Sequence, residues 1–157
     1  MPNHPSIIAR PRGANGFEGR YVHNDGHPAI RVPLLHALHA GPFTGDVDAM
    51  TRFLIDEHPA GWSQLGPGPA ADTGWINPMP PIGDRNFRCY CHGDRAETPL
   101  TLTDETEDVV HLHDWVFVLR PAGVDIWQSF DGVWLRHGVL LWQAPTPRPM
   151  PDENEAA

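Results

Sequence analysis

Tyr21-Val22-His23-Asn24-Asp25-Gly26-His27-Pro28 decides the reading of this chain, because it joins a strand to a tight turn and then to a helix. Over residues 19–23 the pattern is strand-like, with Tyr21 and His23 on one face and Val22 on the other. Asn24-Asp25-Gly26 supplies turn chemistry, and Gly26 is expected to take a positive φ at little cost. Pro28 biases His27 toward an extended backbone. Pro33 is expected near the first turn of a helix that turns Leu34, Leu35 and Leu38 inward, leaves His36 and His39 outside, and stops at Gly41-Pro42.

Working outward toward the N-terminus, residues 1–17 mix Pro2, Pro5, Pro11, Gly13 and Gly16 with few apolar side chains, so they read as a mobile arm. On the other side a second helix is expected over 46–58, with Asp46 as N-cap and Pro59 as terminator, and Trp62 and Leu65 folding back on the core. Residues 66–86 form a Pro/Gly-rich loop with Trp75 and Ile76 as anchors. Residues 88–92 read as a strand, and 99–110 as either a short helix or a solvated loop. The clearest pattern lies at 115–141, where Trp115, Phe117 and Leu119 alternate with Val116 and Val118. Pro121-Ala122-Gly123 turns the chain there, and Asp131-Gly132 is a two-residue hairpin signal before the last run. Residues 143–157 read as a disordered Pro/acidic tail, leaving 18–142 as a single domain. The fold class expected is α+β: an antiparallel sheet built from the Tyr21 strand, the Cys89 strand and a C-terminal three-stranded meander, with two helices packed on one face.

All 11 basic residues are arginine, and against 20 acids the formal net charge is −9, which argues against a surface that tracks nucleic-acid phosphates. The acids concentrate after residue 45, since only Glu18 and Asp25 precede it. Cys89 and Cys91 are one residue apart, too close for an unstrained mutual disulfide, so no disulfide framework is expected. With no charged-then-apolar segment at the start and no apolar run of about 20 residues, the expectation is a soluble protein of the reducing cytoplasm.

Three groupings invite chemistry. The alternation His23, Asp25, His27 offers imidazole and carboxylate ligands of the type that zinc or iron takes, but Gly26 breaks the strand between them. The reading preferred for it is a turn in which Asp25 bonds backbone amides and His23 packs on the sheet. Cys89, Cys91 and His92, with His111 and His113, make a two-thiolate, two-imidazole zinc set if two neighbouring strands present them on one face. Paired zinc cysteines are usually two or more residues apart, so buried thiols with incidental histidines are preferred. Asp94, Arg95 and Glu97 form a compact polar cluster that reads as a surface ion-pair network rather than an acid–base pair. No phosphate-cradling glycine loop, nucleophile elbow or dinucleotide fingerprint is present.

The run Tyr21-x-His23-x-Asp25-Gly26-x-Pro28, the block Cys89-Tyr90-Cys91-His92-Gly93-Asp94-Arg95-Ala96-Glu97 and the run Asp114-Trp115-Val116-Phe117-Val118 resemble, in order and spacing, a set of small uncharacterised phage and actinobacterial proteins. His27 stands where those proteins carry an aromatic residue, and Ala96 where they carry glycine. The resemblance implies a compact α+β fold and no assigned activity. On the residues themselves the leading expectation is a non-enzymatic binding or accessory protein that acts through contact with a protein partner. His23, Asp25, His27, Asp94, Arg95 and Glu97 are its candidate site, and no cofactor is required. The alternatives are a metal-dependent enzyme or metal-binding protein using the His/Asp or Cys/His clusters, with Zn as the metal, and an acidic mimic of nucleic acid.

Overall fold

The computed structural model describes residues 4–23, 26–66, 82, 87–92 and 97–142. Eight strands, β1 (Ser6–Arg12), β2 (Gly16–Val22), β3 (Trp62–Leu65), β4 (Phe87–Cys89), β5 (Leu102–Thr103), β6 (Trp115–Leu119), β7 (Gly123–Phe130) and β8 (Val133–Leu141), form one sheet. Along it the order is β4-β3-β2-β1-β6-β7-β8, with β5 paired to β2. Among the described residues the helices are α1 (Pro28–Ala40), α2 (Val47–Thr51), which runs directly into a π-helical segment (Arg52–Asp56), and the short α3 (Val109–Leu112). No helix among the described residues is long and apolar enough to cross a membrane.

The sheet is mixed rather than antiparallel throughout. β1 runs parallel to β6 (Ser6↔Trp115) and β2 parallel to β3 (Val22↔Trp62). A parallel return needs a crossover segment, and α1, α2 and the π segment provide it between β2 and β3. The meander β6-β7-β8 is antiparallel as its pattern predicts, and Asp131 and Gly132 at its second turn have φ values of 52° and 79°. Positive φ at both central positions is the geometry of a type I′ hairpin turn.

The expected N-terminal arm is overturned where the structure describes it. β1 lies in the interior of the sheet, with Ile7, Ile8 and Ala9 fully buried. Ile8 joins the core on one face of the sheet, while Ile7 and Ala9 join the core on the other. A strand buried on both faces shows no polar alternation, and this one has only three apolar residues in a row, so its periodic signal is weak. Pro11 lies beyond the residues that pair with β6, where a missing N–H is tolerated.

Pro33, expected near the first turn, is instead inside α1, which begins at Pro28. His27 is the N-cap, whose Nδ1 accepts from the Ala29 N–H at 3.0 Å. Asp46 caps α2 as expected, accepting from the Ala49 N–H at 3.0 Å. Gly26 is required for closeness and not for a positive φ, because a Cβ there would come within 2.1 Å of the His4 carbonyl oxygen. The ambiguous stretch after Pro99 resolves into β5, a turn and α3.

Both helices of the expected layer do pack on one face: Leu34, Leu35 and Leu38 from α1, Met50 from α2 and Phe53, Leu54 and Ile55 from the π segment share a core with Trp62, Phe87 and Phe117. On the opposite face Phe17, Leu102, Val109, Val116 and Trp127 form the second cluster. Asp125 is fully buried at the centre of β7, where Oδ2 accepts from Arg120 Nε at 2.8 Å and from Arg136 Nη2 at 2.7 Å. Arg136 also lies over the Trp127 ring at 4.7 Å.

Candidate metal centre

Four side chains from two distant parts of the chain converge beside β4. One donor atom from each of His58, Cys89, Cys91 and His92 lies within 4.8 Å of all the others. His58 follows the π segment; the Gly61 N–H donates to the His58 carbonyl at 3.0 Å, turning the chain into β3. Gly61 holds a positive φ of 91° against the Tyr21 backbone, and a Cβ there would come within 2.6 Å of the Tyr21 carbonyl oxygen. Trp62 then pairs with Cys89, so the β3–β4 ladder is what brings position 58 to position 89.

Each of the four has a defined setting. The His58 ring is packed between Phe53 (5.2 Å) and Trp62 (4.3 Å) and stands 5.2 Å from the His92 ring. Trp62 is itself fixed by Nε1 donating to the Leu54 carbonyl at 3.0 Å. Burial, with the neighbouring His92 as a smaller cause, pushes the His58 pKa down to about 4, so its ring nitrogens are held as the neutral form that binds metals. Cys91 Sγ lies 3.7 Å from His58 Nδ1, and Cys89 Sγ lies 3.0 Å from His92 Nδ1. Tetrahedral zinc with bonds of about 2.3 Å to sulfur and 2.0–2.1 Å to nitrogen separates a sulfur and a nitrogen ligand by about 3.6 Å, which the two observed distances bracket. Burial raises the Cys91 thiol pKa, a penalty that direct coordination by a cation reverses.

The structure also explains the unusual one-residue spacing. β4 stops at Cys89 and the chain bends at Tyr90–His92, so the two thiols are not on one regular strand. The Tyr90 N–H donates to the Gly61 carbonyl at 2.9 Å, and the Glu97 N–H to the Tyr90 carbonyl at 2.8 Å, which hold the bend in place.

Of the histidines grouped with the cysteines from sequence, His92 joins them while His111 and His113 do not. His113 Nδ1 is engaged with the Val109 carbonyl at 3.0 Å and its ring sits edge-on to Tyr21. His111 lies against the β7–β8 turn, its Cε1 3.2 Å from the place a Cβ would occupy at Gly132. His58 is the residue that sequence reasoning passed over, since no spacing rule connects it to a cysteine pair about 31 residues downstream.

The Tyr21–Pro28 residues are placed apart in role. His23 Nδ1 is hydrogen-bonded to the Tyr21 hydroxyl at 2.5 Å, and the His23 N–H donates to the Trp62 carbonyl at 2.9 Å. His27 caps α1 and packs edge-on against His4 and Trp115. Asp25, Asp94 and Arg95 lie outside the described residues. Glu97 borders a cleft of about 390 Å³ between β2, the bend after β4 and α3.

Comparison of the chain with protein-family models, curated proteins and solved structures finds no match to any of them.

Proposed function

We propose that this protein is a zinc-binding protein whose Cys₂His₂ centre is structural, tying the end of the π segment to β4 and the bend that follows it. The observation that carries this reading is the convergence of His58, Cys89, Cys91 and His92 within 4.8 Å. Two thiolates and two neutral imidazoles suit zinc by softness and by geometry. Four protein donors complete a tetrahedron and leave no position for a substrate or an activated water, so the set favours a closed site over the metal-dependent enzyme.

The test is metal content. Protein expressed in zinc-containing medium and purified without added metal is expected to hold close to one Zn per chain, whereas Cys89→Ser and Cys91→Ser variants hold almost none. A wild-type content below about a tenth of an equivalent, with no uptake on titration under reducing conditions, overturns the reading, because structural zinc affinity survives purification.

A second reading, action through protein contact, is favoured by a specific surface. Phe130, Val133, Leu135, Leu140 and Leu141, exposed between 46% and 68%, are spread over the end of β7 and along β8, the last strand in the order among the described residues. An edge strand that exposes apolar side chains is a ready template for pairing with another chain. A second copy of the chain is the occupant this reading commits to, because an edge strand can pair antiparallel with its own copy across a two-fold axis. Sedimentation equilibrium that gives a dimer for the wild type and a monomer for Leu135→Glu supports it; a wild-type monomer at high micromolar concentration sinks it. The acidic-mimic alternative gains no support, since Asp56, Asp104 and Asp125 are paired with arginines.

A further inference from the structure

We infer that the cleft beside Tyr90 is a binding site for a small organic cation, an amine or methylated ammonium carrying an aryl or short alkyl body. At about 390 Å³ its volume falls in the range of small-molecule sites. Buried Leu102 and Val109 give it an apolar floor. Tyr21 and Tyr90 form aromatic walls with nearly parallel rings, 21° apart in plane and 6.3 Å between centroids. Glu97 and Glu107 stand at its rim.

Charge selects the ligand class. Among the described residues lining the cleft, none is an arginine or lysine. Burial holds the lining His113 below its ordinary pKa and so toward the neutral form. Among the described lining residues a carboxylate or phosphate entering the cleft therefore meets two carboxylates and no cation. An ammonium meets the rings of two tyrosines and the acids beside them, the kind of lining that holds organic cations in aromatic cages. Glu97 is held beside Tyr90 by its N–H, which donates to the Tyr90 carbonyl at 2.8 Å. The hydroxyl of Tyr21 is positioned by its hydrogen bond with Nδ1 of His23, the residue that follows β2.

This inference does not rest on the zinc reading; Tyr90 lies between the two cysteines, but the cleft is walled by Tyr21, α3 and β5 whatever the cysteines hold. Three probes of one size separate the alternatives by calorimetry or NMR titration of the full chain: 2-phenylethylamine, 2-phenylethanol and 3-phenylpropanoate. The amine is expected to bind about tenfold more tightly than the alcohol, the size of one cation–π contact with partial desolvation, and the propanoate not to bind. Tyr90→Leu and Glu97→Gln should each weaken the amine about fivefold while Tyr90→Phe retains it. Asp48→Asn, at an exposed acid of α2, which packs on the opposite face of the sheet and contributes no lining residue, should leave affinity unchanged. Circular dichroism checks that each variant is folded. Equal binding of alcohol and amine, tighter binding of the propanoate, no binding of any probe, or amine affinity unaffected in both Tyr90→Leu and Glu97→Gln overturns the inference.

Discussion

Zinc should raise the thermal stability of this chain by an amount that its topology sets. The centre links His58 to Cys89 across about 31 residues, and a cross-link closing a loop of that length removes denatured-state freedom worth between about 3 and 4 kcal/mol. Mass action gives a similar size: free zinc at about 100 times Kd stabilises the folded state by about 2.7 kcal/mol, less whatever the unfolded thiols bind. For a chain of 157 residues that corresponds to a rise in Tm of about 8 °C. The assay is thermal unfolding by near-UV circular dichroism in reducing buffer, with zinc or with chelator. Cys91→Ser should unfold at nearly the same temperature in both conditions, with any residual shift below about 2 °C. Cobalt substitution adds a spectroscopic arm, because a tetrahedral thiolate site gives cobalt strong visible bands. Equal zinc responses in wild type and Cys91→Ser, or a stoichiometric cobalt complex lacking thiolate charge transfer, would refute the reasoning.

Asp125→Ala removes the shared partner of Arg120 and Arg136 from the interior of β7 and should cost about 3 kcal/mol, read as a lower urea midpoint at an unchanged m-value. Gly26→Ala drives a methyl group into the His4 carbonyl and Ser6, so the start of β1 must shift; a loss of about 2 kcal/mol in urea unfolding is expected, and a neutral result contradicts the close approach. His113 has its pKa lowered chiefly by burial, against smaller raising effects of the Val109 carbonyl and Asp114. The unfolded chain therefore takes up a proton near pH 6.5 that the folded chain resists; the His113 contribution is complete above that pH and is lost as pH falls below it toward the depressed folded value. His113→Gln should accordingly show a smaller drop in urea midpoint between pH 7.5 and pH 5 than the wild type, with the remaining drop carried in part by His36 and His39, which burial shifts the same way.

Local chemistry made much of this protein legible from its sequence. Asp131-Gly132 determined a hairpin because few residue pairs accept positive φ twice in succession. The alternation through Trp115–Leu119 marked β6 as a strand of the meander, and Asp46 marked the start of α2 through one hydrogen bond to a neighbour three residues on. Tertiary structure alone decided what depends on distant partners. Ser6–Arg12 is a strand because β2 and β6 flank it, and three apolar residues between prolines carry no period that announces this. The same holds for the metal centre: Cys89, Cys91 and His92 were visible together, but His58 reaches them only through the Gly61 turn and the Trp62–Cys89 pairing. In Tyr21–Pro28, local rules indicated a strand, a turn and a helix start. Packing assigned the remaining roles: His27 caps α1, His23 positions the Tyr21 hydroxyl, and Gly26 makes room for the backbone of His4. Capping and turn formation act within a few residues and leave a signature in sequence, whereas a four-ligand site and a central strand are set by long-range pairing, which no short window of sequence contains.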